Sequence, residues 1–378
     1  MSDFDEYIRQ GEPGRIKKAA AWKTAIGLQD VDGLKPSEYL VDTAKRHIEG
    51  DITIEQVKGL IDTYYKSRQG RLSAEEERTE EADKVSANIA KILSSDTLDF
   101  SVNGFISLHR RIFDGVYKHA GKIRDYNITK KEWVLEGDSV SYLNWEDLRR
   151  ALEYDIEQEQ SFNYKGLSQD EMIRHIACFV SGIWQIHAFG EGNTRTTAVF
   201  TIQYLRSVGF DIDNNQFANH SWYFRNALVR ANYKNLVKGI DYTPVYLERF
   251  FRNLLLGEQW DLRNRYLHIH PAPEWSIQPN QSTPTSTPTS TPTSSIATNN
   301  TNIIRLVKAL GQNQLSIKEL LVKVGLKDRE NFLDYSLRPA VSERFVQALY
   351  PDKPNHPRQK YLLTAKGLML LESLTSKS

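Results

Sequence analysis

A tandem Thr-Pro-Thr-Ser repeat within residues 276–302 (SIQPNQSTPTSTPTSTPTSSIATNNTN) constrains this chain more than any other feature. The stretch offers almost no apolar side chain to bury. Its prolines remove backbone donors and favour extended backbone, so it reads as a solvated, semi-stiff tether. The 378 residues therefore divide into a larger unit before the tether and a compact one, residues 303–378, behind it. Hydrophobic residues at 40% and charged residues at 26% are ordinary for a globular protein and exclude collagen-like, fully disordered and membrane-embedded chains.

Charge adds an asymmetry. Over the whole chain Lys+Arg 49 and Asp+Glu 48 nearly cancel, which is not the signature of a polycation built for nucleic acid. Residues 301–378 alone hold 13 Lys+Arg against 7 Asp+Glu, a net of +6. One cysteine, Cys178, excludes an internal disulfide framework and any multi-cysteine zinc site. The start, MSDFDEYIRQ, lacks the apolar core of a secretory signal. No apolar run reaches the roughly 20 residues of a membrane span. The expectation is a soluble cytoplasmic protein with no membrane partner.

Helical periodicity dominates the larger unit. Residues 35–67 hold two segments, Ser37–His47 and Ile54–Tyr65, parted by Gly50-Asp51. The acidic run Glu75–Glu81 opens another helix, with its charges at the favourable N-terminal end. Residues 102–117, 145–158, 168–187, 194–207, 220–231 and 243–256 follow as helices. Residues 122–142 mix β-branched and aromatic side chains around Glu136-Gly137-Asp138, which predicts a β-hairpin on a helical body. Behind the tether, helix–turn–helix spacing, a third helix near 330–348 and a strand with a final helix predict a winged helix.

The segment from Ile173 to Leu205 carries the chemistry. Ile173, Ile176, Val180, Ile183 and Trp184 form an apolar stripe that His187 ends. Then come a turn with Gly190 and Gly192 and a second helix starting near Asn193, a favoured N-cap type. Unpaired N–H groups and the positive dipole end make such a place an anion cradle. Arg195 adds a guanidinium fork suited to phosphate. Glu191 is out of place in an anion site unless it holds a divalent cation that bridges phosphates. Read separately, His187 is a core histidine, the turn is only a turn, and Glu191 with Arg195 is a helix-end ion pair. Their joint order favours an enzyme acting on a nucleotide phosphate.

His187-Ala188-Phe189-Gly190-Glu191-Gly192-Asn193-Thr194-Arg195-Thr196-Thr197-Ala198 resembles the signature of the Fic (Fido) family of AMP transferases. The resemblance runs over residues 85–255. It implies a mostly α fold, with a Fic-type helical bundle at 71–260, a hairpin flap at 122–142 and the winged helix behind. By the same resemblance His187 deprotonates a target hydroxyl (Tyr, Ser or Thr), and Phe189 anchors the loop. Gly190, Gly192, Asn193 and Thr194 line the nucleotide phosphates. Glu191 holds Mg²⁺ on ATP, Arg195 neutralises the leaving pyrophosphate, and Tyr233 lies near the nucleotide. The flap docks the target protein.

Ala188 and Thr194 depart from the family pattern, the latter with a strain cost if its position needs a positive φ. Ala198 stands where the family carries a second arginine for the γ-phosphate, which leaves the donor open to UTP, GTP or a diphosphate. Residues 1–70 resemble an antitoxin-like segment, with Ala25 and Gln29 in the register of its inhibitory Ser and Glu. The inhibitory ion pair is thus missing on both sides, at Gln29 and at Ala198. An alternative function is a nucleotide-sensing DNA-binding regulator acting through residues 303–378. That unit has DNA, a protein or a second copy of the chain as its candidate partners.

Overall fold

The computed structural model describes residues 4–68, 73–95, 97–210, 212, 215–270, 296–354 and 356–376. Most of the tether, residues 276–295, lies outside them. Its last residues already belong to the folded unit: Ile296 is buried and the Asn300 side chain caps the next helix.

Before the tether come α1 (Asp5–Gln10), α2 (Pro13–Gly27), α3 (Glu38–Glu49), α4 (Ile54–Lys66), α5 (Ala74–Leu93), α6 (Val102–Ile112), α7 (Leu148–Ser161), α8 (Gln169–Ile186), α9 (Asn193–Ser207), α10 (Asn215–Asn219), α11 (Ser221–Asn232) and α12 (Val245–Phe251). After it come α13 (Thr301–Leu310), α14 (Ile317–Val324), α15 (Arg329–Phe332), α16 (Arg338–Ser342), β1 (Val346–Ala348), β2 (Tyr361–Leu363) and α17 (Ala365–Thr375). The protein is mostly helical with one small antiparallel sheet, β1–β2, in register Val346↔Leu363. No helix among the described residues is long and apolar enough to cross a membrane.

Local sequence sets the helix starts. Thr53 with Gln56, Ser73 with Glu76, Ser168 with Glu171 and Ser316 with Glu319 each form a capping box, two orphan N–H groups satisfied reciprocally. The predicted stripe on α8 is real. Ile173, Ile176, Val180, Ile183 and Trp184 are all buried, each stabilising by roughly 1.5–3 kcal/mol. Helix α9 is buried all round from Asn193 to Leu205, so it is the central rod on which the others pack.

The first helices reach this rod through α5, on which α2 and α4 pack. α2 packs on α5, and Asp83 of α5 accepts from Ser37 N–H, Ser37 Oγ and Tyr65 Oη. Gly27 lies so close to α10 that a Cβ there would sit 2.2 Å from the Ala218 carbonyl oxygen. The 3₁₀ turn Leu28–Asp32 that follows runs over the start of α9.

The hairpin predicted at 122–142 is not a β-ladder. Gly137 makes the turn at φ +89°, and Glu132 N–H donates to the Asp138 carbonyl at 2.9 Å, but no strand pairing extends from it. Val134 and Leu135 are buried instead, and Ile269 N–H donates to the Val134 carbonyl at 2.9 Å. The apolar residues that suggested a strand plug the excursion into the helical body. Behind the tether, the predicted long helix near 330–348 stops at Ser342. Arg344 turns the chain at φ +60° and Val346 begins β1. Arg344 Nη1 donates to the Arg206 carbonyl at 3.0 Å, joining this unit to α9.

Candidate active site

His187 ends α8 in the left-handed conformation at φ 51°, its N–H bonded to the Trp184 carbonyl. Its ring is 3% exposed and lies against Tyr142, with centroids 4.1 Å apart, and edge-on to Trp184. Neither ring nitrogen has a hydrogen-bond partner. Burial, with Lys130 adding to it, pushes the imidazole pKa well below its ordinary value. The result is a neutral imidazole with a free lone pair, the condition of a proton acceptor.

The turn after it is held rigidly. Asn193 Oδ1 accepts from Phe189 N–H at 2.9 Å and Nδ2 donates to the Phe189 carbonyl at 2.6 Å. Gly192, at φ +74°, is the N-cap of α9, so the predicted cap at Asn193 moves back one residue and the asparagine staples the loop instead. Phe189 is fully buried and stacks on His109 at 3.8 Å. Gly121 N–H donates to His109 Nδ1, so the proton sits on Nε2 and is donated to the Glu191 carbonyl at 3.1 Å. Burial holds the His109 pKa down to about 4, so it braces the turn as a neutral group.

Within the turn, the backbone N–H groups of residues 190–195 make no hydrogen bond to the chain's own carbonyls among the described residues; Thr196 N–H is the first with a partner, Gly192. Thr194 does not have a positive φ, so threonine carries no backbone strain there. Its Oγ1 accepts from Trp184 Nε1 at 3.0 Å.

Gly192 tests this geometry. A Cβ there would lie 2.1 Å from Phe113 Cζ, on a backbone that favours glycine. Gly192→Ala is expected to cost about 3 kcal/mol in strain and overpacking, seen as a lower melting temperature. Gly190→Ala is expected to melt near the wild type. Its Cβ would meet only Tyr126 Oη, the far end of a half-exposed side chain.

Arg195 is where the structure departs furthest from the sequence reading. Its guanidinium is buried and already engaged. Nη2 donates to Glu81 Oε1 at 2.8 Å and to Tyr117 Oη at 3.3 Å, and Nη1 donates to Gln29 Oε1 at 3.1 Å. Nε lies 2.8 Å from Asp32 Oδ2, an ion pair off the N–H axis, since Nε makes no hydrogen bond. Phe113 lies under the plane, 4.8 Å from its centroid. Burial opposes the charge, but Asp32, Tyr117 and Glu81 outweigh it and raise the pKa. The Glu191–Arg195 pair is therefore not formed; Glu191 is exposed and pairs with Lys130 Nζ at 3.2 Å.

Tyr233 is buried, and its hydroxyl donates to Asp138 Oδ2 at 2.7 Å, tying the 122–142 excursion to the end of α11. Ala198 is fully buried, as are Ala25 and Gln29. Among the described residues no three His, Cys, Asp or Glu side chains gather around a metal. A lone exposed carboxylate such as Glu191 fits Mg²⁺ only with phosphate oxygens completing the shell, which is how that ion is usually held.

Sequence reasoning missed Arg124. Its Nε donates to the His187 carbonyl at 2.8 Å, Nη1 to the Tyr126 carbonyl at 2.5 Å and Nη2 to the Leu143 carbonyl at 2.5 Å. It also missed Asp32, Glu81 and Tyr117 around Arg195. His109 alone left a signal, as a polar residue inside the apolar stripe Phe105, Leu108 and Ile112 of α6. A cleft of about 740 Å³ beside Arg124 is lined by Asp99, Arg110, Trp145 and Arg149 rather than by the motif. The motif itself is closed by Tyr142 over His187 and by the ion pairs on Arg195.

The site is thus a central helix that meets its neighbour at a stapled, amide-rich turn. Residues 99–205 match the Fic/DOC family, and residues 301–364 match the C-terminal domain of Filamentation induced by cAMP protein Fic-like. The chain thus carries a region similar to a Fic/DOC domain and, behind the tether, one similar to a Fic-like C-terminal domain. It is 24% identical over 197 residues to protein adenylyltransferase VbhT of Bartonella schoenbuchensis. The match covers 49% of this chain and 39% of that relative, so the chain spans well under half of the relative's length. Two crystal structures are also similar. One is a Fic family protein from Desulfovibrio desulfuricans (16% identical, 93% of this chain and 96% of that one, TM-score 0.36). The other is the N-terminal Fic domain of a cell filamentation protein from Bartonella quintana (18% identical, 50% of this chain and 86% of that one, TM-score 0.38).

Proposed function

We propose that this chain is a protein adenylyltransferase that moves AMP from ATP to a hydroxyl side chain. One observation carries the reading: a run of free amide groups, residues 190–195, begins three residues after a buried histidine with two unpartnered nitrogens. Adenylyl transfer needs an acceptor for the hydroxyl proton and fixed donors for the charge on phosphate. In this reading His187 takes the proton. The backbone at Gly190, Glu191, Gly192, Asn193 and Thr194 holds phosphate oxygens. Arg195 meets the pyrophosphate once its present partners release it. Glu191 holds Mg²⁺, which when bound supplies positive charge across the phosphates. Tyr233 is buried and its hydroxyl is committed to Asp138, so in this reading it borders the nucleotide by holding the 122–142 excursion in place.

A target approaches along residues 122–142 and reaches His187 by displacing Tyr142, whose hydroxyl donates to Glu132 at 3.2 Å. We read residues 303–378 as a winged helix and the first 70 residues as an antitoxin-like cover, in a cytoplasmic protein. Arg338 pairs with Asp334, and Arg329 adjoins Glu330. Residues 301–378 nonetheless carry a net charge of +6, so DNA, a protein and a second copy of the chain all stand as candidate partners of this unit.

Buried Ala198 offers no γ-phosphate contact, so the donor is the open variable. Intact-mass measurement after incubation with Mg²⁺ and each of ATP, GTP and UTP tests the reading. The mass of AMP on the chain or on an added protein is the expected result. UMP or GMP alone would correct the donor, and no added mass with any nucleotide would sink the reading.

A further inference from the structure

Six hydroxyls are gathered around the turn, on Tyr117, Tyr126, Tyr142, Thr194, Thr196 and Tyr233. Five are engaged. Tyr117 donates to Glu81, Tyr142 to Glu132, Tyr233 to Asp138 and Thr196 to the Gly192 carbonyl, while Thr194 accepts from Trp184. Tyr126 differs. Its side chain is 53% exposed and its hydroxyl has no hydrogen-bond partner among the described residues. That hydroxyl rests on the turn itself, 2.6 Å from where a Cβ on Gly190 would lie. The backbone beneath it is fixed to the histidine: one guanidinium, Arg124, donates to both the Tyr126 and the His187 carbonyls. Arg124 N–H also donates to the Ala188 carbonyl at 2.9 Å.

We infer that Tyr126 is the residue of this chain that accepts AMP, a self-modification site in the mouth of the phosphate turn. The inference rests on the AMP-transfer reading and names its intramolecular acceptor. The Tyr126 phenolic oxygen attacks the α-phosphorus of ATP. The bond from that phosphorus to the oxygen bridging to the β-phosphate breaks, and pyrophosphate leaves with the electron pair. The phenolic proton passes to the free nitrogen of His187. The products are a tyrosyl-AMP phosphodiester, pyrophosphate and one proton. Proximity favours this hydroxyl over any in solution, because one arginine ties its backbone to that of the base.

The test is tandem mass spectrometry of the full chain after incubation with ATP and Mg²⁺. It is run on the wild type and on Asp32→Ala, which removes one of the two carboxylates paired with Arg195. The AMP mark is expected on the tryptic peptide 125–130, on Tyr126 and not on Thr129. Tyr126→Phe, which removes one exposed oxygen, is expected to lower self-labelling from α-labelled ATP at least tenfold. A mark on another residue, or unchanged labelling of Tyr126→Phe, overturns the proposal. Label on an added lysate protein with none on this chain overturns it and leaves the transferase reading standing. Label on neither defeats both.

Discussion

His187→Ala is expected to lower AMP transfer by about 10²–10⁴-fold, the range for losing a positioned general base. The size follows from what the ring lacks. An imidazole buried for packing alone ordinarily bonds at least one nitrogen, since an unmade hydrogen bond costs about 1–3 kcal/mol. Here both nitrogens are unpaired. The left-handed backbone at φ 51° is a further strain that asparagine tolerates well. His187→Asn is therefore the control that keeps the backbone and removes the base. It should match the alanine variant in rate and the wild type in melting temperature.

The pH profile adds an independent readout. The folded pKa is depressed by burial and then by Lys130, so the ring is neutral at pH 7 and the acid limb of the rate should fall well below pH 6.5. In the unfolded chain a histidine binds its proton near pH 6.5. Protonation therefore favours unfolding, and this residue's contribution to stability is lost as pH falls below about 6.5. A rate in His187→Asn within threefold of wild type would remove the imidazole from the chemistry.

Much of this arrangement is local, and local order is what a sequence displays. The i, i+3, i+4 stripe of α8, the capping boxes and the glycine turn at 190–192 each depend on neighbours within one or two turns of chain. The partners of Arg195 do not. Asp32 and Glu81 lie 163 and 114 positions before it, and only the packing of the 3₁₀ turn Leu28–Asp32 and of α5 against α9 brings them together. The excursion at 122–142 misleads for another reason. Alternating apolar residues suit a strand, but they serve equally to bury a tip, and Val134 and Leu135 take the second course. Arg124 was invisible because it acts through backbone carbonyls, which carry no side-chain signature.

Releasing Arg195 is expected to raise transfer about tenfold, or about 1.4 kcal/mol, in Asp32→Ala, and further when Glu81→Gln is added. A pyrophosphate that claims this guanidinium must first displace Asp32, Gln29, Glu81 and Tyr117. Hydrogen bonds to charged groups contribute about 1.5–3 kcal/mol each, so the present partners compete at the scale of the phosphate contacts. The first helices thereby bear on the motif even though Gln29 carries no charge and Ala198 no guanidinium. Their contact with the motif runs to Arg195, through Gln29 and Asp32. Point substitution is a cleaner experiment than removing residues 1–66. The deletion strips Trp22 and Ala25 from the buried face that α2 packs on α5 and leaves apolar surface open. The two outcomes separate by sign. Higher transfer with tighter ATP binding means Asp32 and Glu81 withhold Arg195. Lower transfer in both variants, at unchanged melting temperature, means that the same carboxylates aim the guanidinium and that the first helices complete the site.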